Sequence, residues 1–113
     1  MPEVDQDRAE RIRALNDKLR RESVGGRVVV TASVAALGPA TVVRVREVVA
    51  KFDAFTEGDD PYGEHDFGAV EVDGEAFFWK VDYYDPELEF GSEDPADPEK
   101  TARVLTIMRS EEY

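Results

Sequence analysis

Gly68-Ala-Val-Glu-Val-Asp-Gly-Glu-Ala-Phe-Phe-Trp-Lys-Val-Asp-Tyr-Tyr84 is the stretch that decides the fold. Asp73-Gly74 lies between two alternating runs and predicts a two-residue type I′ hairpin, because both central residues of that turn need positive φ. A two-residue turn also sets the register, since a slip of one residue would turn every side chain to the wrong face. Val70 is then predicted to face Phe77, and Gly68 to face Trp79. The core face reads Val70, Val72, Phe77, Trp79, Val81 and Tyr83, and the other face Phe67, Phe78, Lys80, Asp82 and Tyr84. Carried further, the same register puts His65 opposite Asp82, unless Gly63 or Gly68 hosts a bulge.

Upstream of the hairpin, Ile12, Leu15 and Leu19 follow helical spacing over residues 6–22, with Asp5 as the expected N-cap and Arg20-Arg21 in the last turn. Arg27-Val-Val-Val-Thr-Ala-Ser-Val34 is rich in β-branched residues and reads as a strand. Gly38-Pro39 opens a second helix, in which Val42, Val45, Val48, Val49 and Phe52 share one face. Downstream, Asp94-Pro-Ala-Asp-Pro98 is a rigid turn. Arg103–Arg109 alternates as a final strand, with a short helix starting near Pro98 as the rival reading of residues 99–109. The expected fold class is α+β: a two-layer, mostly antiparallel sheet of about four strands with two helices on one face. One domain over residues 1–113 is expected, its first five residues frayed.

The charge is divided sharply along the chain. Residues 53–99 hold 17 of the 26 acidic side chains and one base, Lys80, so this segment carries −16 of a net −12, and the rest of the chain is +4. Such a field opposes nucleic acids and anionic lipid. No direct nucleic-acid binding and no membrane association is therefore expected. The chain has no cysteine, which excludes disulfides and thiolate zinc sites. The amino-terminal residues are charged throughout and no run is apolar enough to span a membrane, so a cytoplasmic location is expected.

Three readings compete for Asp59-Asp-Pro-Tyr-Gly-Glu-His-Asp-Phe-Gly68. It can be a turn in which Asp60 or Asp66 caps backbone N–H groups and His65 bonds a carbonyl. It can be catalytic, with His65 a general base oriented by Asp82 and Lys80 beside the reacting group. It can be a binding surface, with Asp59, Asp60, Glu64, Asp66, Glu71, Asp82, Asp85, Glu87, Glu89, Glu93, Asp94 and Asp97 supplying charge and Tyr62, Phe78 and Tyr84 anchoring. One imidazole with carboxylates is a poor structural zinc site, and no metal or other cofactor is expected.

Five blocks resemble a bacterial family of unknown function, the DUF3768 family: Asn16–Arg20, Asp60-Pro-Tyr-Gly-Glu-His-Asp-Phe-Gly68, Trp79-Lys-Val-Asp-Tyr-Tyr-Asp85, Asp94–Pro98 and Arg103–Met108. Asp59 stands where that pattern leads one to expect Asn. The resemblance implies no activity, cofactor or catalytic residue. It implies small bacterial proteins, sometimes carried on mobile elements, a context that suits counter-defence proteins. The expected function is accordingly a non-enzymatic acidic binding protein that mimics nucleic acid and inhibits a DNA- or RNA-handling complex of restriction or CRISPR type. Its partner would be a protein with a basic nucleic-acid-binding surface. The alternatives are a small metal-dependent or acid–base enzyme centred on His65 and Asp82, and a generic interaction module. The oligomeric state is left open, a homodimer included.

Overall fold

A computed structural model describes residues 2–113, with side chains from Gln6 onward; Asp5 lies inside a helix that already runs from Pro2, so it is not the expected N-cap. The hairpin forms as its turn requires: Asp73 and Gly74 take φ of 54° and 79°, joining β2 (Phe67–Val72) to β3 (Glu75–Tyr84). The register is the expected one, with Val70 opposite Phe77 and Gly68 opposite Trp79. Glycine is required at 68 because a Cβ there would collide with the Trp79 indole and come within 2.9 Å of the Phe52 ring. The indole packs over Gly68, and Trp79 is fully buried.

The final segment is a strand, β4 (Ala102–Arg109), preceded by a 3-10 turn at Pro98–Lys100 that Asp97 caps through Glu99 N. β4 runs antiparallel to β3, and β1 (Arg27–Val30) pairs parallel to β4, so the sheet order is β1-β4-β3-β2. The fold is thus α+β with a mostly antiparallel sheet.

The strand expected over residues 27–34 ends at Val30. Thr31 makes the last ladder bond, its N–H to Ile107 O at 3.0 Å, and the chain then turns into a one-turn helix, α2 (Ala32–Ala35). The alanines there favour helix, and Val34 is fully buried from the helical turn as it would have been from a strand. α1 (Pro2–Glu22) begins ahead of the expected residue 6, and α3 (Pro39–Lys51) begins at the expected proline. On α3 the apolar stripe is narrower than its sequence suggests: Val45 and Val49 are buried, while Val48 is exposed.

The helices cover one face of the sheet. Leu19, Val34, Val45, Val49, Val70, Phe77, Trp79, Leu105 and Ile107 form the core between the layers. The opposite face carries Phe67, Phe78, Lys80, Asp82, Thr106 and Met108, with the Tyr113 ring packed on Phe67 and Phe78 at 5.5 and 5.3 Å.

Candidate binding site at the acidic end of the sheet

Helix α1 projects three polar side chains into the structure where its apolar stripe would be expected to continue. Asn16 and Arg20 are buried beside Ile12 and Leu19, and Asp17 is half-buried. Arg20 Nη1 donates to the carbonyls of Val49, Ala50 and Phe52 at 2.9–3.0 Å, which satisfies the C-terminal end of α3. Its Nη2 donates to Asp17 Oδ1 at 2.9 Å, and its guanidinium lies over the rings of Phe55 and Trp79 at 5.4 and 5.3 Å. Arg20 Nε and Trp79 Nε1 are buried without an acceptor.

His65 completes this group from the other side. Its φ of 54° breaks the strand before β2, and its Nδ1 lies 2.8 Å from Asp17 Oδ1. The imidazole stacks face to face on Phe55, with centroids 3.7 Å apart. The backbone N–H groups of Glu64 and His65 donate to the buried carboxylate of Asp60, the turn role expected of that residue. Burial pushes the Asp17 carboxyl up, but hydrogen bonds from His65 and Arg20, with their charges, hold it below the usual range.

The expected His65–Asp82 pairing does not form. The ladder register ends at Phe67–Lys80, with one further bond from Val81 N–H to Asp66 O, and the left-handed turn at His65 then swings the imidazole to α1. Asp82 pairs instead with Lys80, Nζ to Oδ2 at 3.0 Å, on the sheet face away from the helices. His65 is thus oriented by Asp17 rather than by Asp82, the partner that the catalytic reading gave it. Nor does His65 bond a carbonyl, as the plain turn reading expected. Among the described residues, no group of three or more His, Cys, Asp or Glu is placed to hold a metal ion, and no helix is long and apolar enough to cross a membrane.

A second polar group ties the two acidic loops to the sheet. Asn16 Nδ2 donates to Glu64 O at 3.0 Å and to Tyr83 Oη at 2.8 Å, and Asn16 Oδ1 accepts from Arg103 Nε at 2.8 Å. Tyr83 Oη donates to Glu64 Oε1 at 2.8 Å. Burial pushes the Tyr83 phenol well up and the Arg103 guanidinium down. Arg103 reaches on to Pro95 O, and Ser92 N–H bonds Tyr83 O at 3.0 Å. Residues 53–66 and 85–99 thus leave the same end of the sheet. They hold six and seven carboxylates respectively and no Lys or Arg.

Of the expected binding residues, the structure gathers Asp59, Tyr62, Asp66 and Asp82 around a groove of about 500 Å³ with Phe67, Lys80 and Tyr113. Asp66 is the strained member. Burial, and then the charges of Glu64, Asp60 and Asp82, raise its carboxyl to about 6.

Other expected binding residues have structural work. Asp85 accepts the Glu89 and Phe90 N–H groups, and Asp94 accepts Ala96 N–H and Arg8. Asp97 caps the 3-10 turn, and Glu93 lies 4.0 Å from Lys100. Glu71 is exposed on β2 towards the hairpin, away from this end. Phe78 and Tyr84 are half-buried, so they are not the exposed anchors expected. That place is taken by Tyr62, 76% exposed, and by Phe90, 72% exposed, in a loop where Leu88 is also exposed. Sequence reading passed over Phe90 and Leu88, although Pro86-Glu-Leu-Glu-Phe90 alternates apolar and acidic residues outside any regular element.

The family model for proteins of unknown function DUF3768 matches residues 30–112, which includes both acidic loops, His65, Tyr83 and Arg103 and leaves α1 outside. No curated protein and no solved structure matches the chain. With most of its length matched by that model, the chain belongs to the DUF3768 family.

Proposed function

We propose that this is a non-enzymatic, cytoplasmic binding protein whose acidic end docks on the basic nucleic-acid-binding surface of a partner, in the manner of a nucleic-acid mimic that inhibits a DNA- or RNA-handling complex. One observation carries the reading: the two loops richest in carboxylates emerge together, and Glu57, Asp59, Asp66, Glu87, Glu89 and Glu99 have no cationic partner in salt-bridge range among the described residues. Duplex DNA presents one phosphate charge per roughly 1.7 Å of axis, so a cleft shaped for it attracts a dense array of fixed carboxylates. Rigidity supports the same reading. The Asn16–Tyr83–Glu64–Arg103 group holds the loops in place, which lowers the ordering cost on association. Tyr62, Phe90 and Leu88 supply apolar anchors among the charges.

The test reverses acids that hold nothing inside the chain. Glu57, Asp59, Glu87 and Glu89 changed to Lys should abolish capture of the partner from a lysate of the native host while far-ultraviolet circular dichroism stays native. Capture by the unaltered protein should fall steeply with salt, since screening reaches ~8 Å at physiological ionic strength, and should be displaced by duplex DNA or RNA. Capture that ignores salt, nucleic acid and the reversed charges would sink the proposal.

A further inference from the structure

The helical layer holds a groove unrelated to the acidic end. α1 and α3 part above β1 and β4, leaving a cavity of about 250 Å³. Its walls are Val28, Val43, Val49 and Ala50, and the fully buried Leu105 and Ile107 close the bottom. Val43, 54% exposed, stands at the mouth as an apolar side chain open to water.

The mouth also carries positive charge. Arg21 and Arg46 line it, and among the described residues neither has a carboxylate in salt-bridge range; Arg46 makes only a bond to Ser23 Oγ at 3.2 Å. Glu47 is the one acid in the lining. Arg21 serves the C-terminal end of the α1 dipole. Arg46 lies in the interior of α3 and has no such role. In a chain of net charge −12, two uncompensated arginines beside an apolar cavity are the complement of a molecule with a hydrocarbon body and an anionic head. The volume lies below the roughly 300–1,000 Å³ of drug-sized sites, so the molecule is small.

We propose that the groove between α1 and α3 is a binding site for a small amphipathic carboxylic acid, its tail against Val28, Val43 and Ala50 and its carboxylate at Arg21 and Arg46. Arg20 also lines the groove, but its guanidinium is engaged with α3 carbonyls and Asp17, so it serves as wall rather than ligand.

Octanoate is the probe, followed by amide chemical shifts on the full chain. Shifts should saturate at about 1 mM or tighter and should centre on Val28, Val43, Arg46 and Val49. Affinity should rise about fourfold per methylene from hexanoate to octanoate. Arg46→Gln should weaken octanoate about fivefold, and adding Arg21→Gln should weaken it further; both residues are exposed, so the fold should survive. Octylammonium or octanol binding as tightly as octanoate would overturn the proposal, as would shifts centred elsewhere or none at about 10 mM. If the same amides shift when protein concentration alone is raised, a second copy fills the groove and the small-acid reading is wrong.

Discussion

Asp66→Asn should stabilise this protein at neutral pH, although it removes a charged side chain from an exposed end of the molecule. The Asp66 carboxyl is raised from 3.8 to about 6, first by burial and then by Glu64, Asp60 and Asp82. A folded-state value above the unfolded one means that the native chain holds the proton more tightly. The contribution of the group is therefore most favourable below about pH 4 and is lost as pH rises towards 6. At about 1.4 kcal/mol per unit, the shift corresponds to a ceiling of about 3 kcal/mol. Solvent reaches part of the carboxylate, so about 1–2 kcal/mol is the expected gain in the variant. Urea unfolding of both proteins at half-unit steps from pH 4 to 7 isolates the group, because every other titration is common to the pair. The stability difference should be near zero at pH 4, grow to pH 6 and stay level above it. Equal stability at pH 7, or a variant less stable there, refutes the account of Asp66 as a carboxylate held at a cost. If the account holds, a cation brought by a partner relieves that cost, which ties this measurement to the proposed docking.

Asp17→Asn should act in the opposite sense. The Asp17 value is lowered, so its contribution is present above its unfolded value and lost as pH falls through the folded one; the variant should be about 2–4 kcal/mol less stable at pH 7 by urea titration and should lose that difference in acid. Asn16→Ala removes the acceptor of Arg103 and the donor to Glu64 and Tyr83, so it should cost about 3–5 kcal/mol and raise amide exchange in both acidic loops. Trp79→Ala should cost about 3–5 kcal/mol in thermal or urea unfolding. Trp79→Phe should cost clearly less, since it keeps a ring in the core and removes an indole N–H that has no acceptor.

Much of the sheet was legible in the sequence because its signals are local. Asp73-Gly74 admits few turns, and the alternation on either side places Trp79 and Val81 inwards and Lys80 outwards whatever the rest of the chain does. The second helix was legible from Gly38-Pro39, and the final strand from the alternation of Arg103–Arg109. The end of β1 was not, because β-branched residues over 27–34 mask the alanines that turn the chain after Thr31. The acidic segment was visible as composition, and the capping role of Asp60 as a property of its turn.

The polar interior could be decided only by tertiary structure. On its own helix Asn16-Asp17-Arg20 reads as a solvated face, and it is buried because α1 lies across the end of α3 and the 60–66 turn, where unpaired carbonyls need a donor. Extending the hairpin register to His65 assumed that the strand continued; one left-handed residue ended it and gave the imidazole to a helix 48 positions away. Likewise, which carboxylates face a partner and which cap their own loops depends on hydrogen bonds between segments distant in sequence. By itself the sequence determined the β2–β3 pairing, the charge and the turn, since these follow from neighbours along the chain. The site was decided by the tertiary structure, since a buried polar group takes its meaning from partners that folding brings to it.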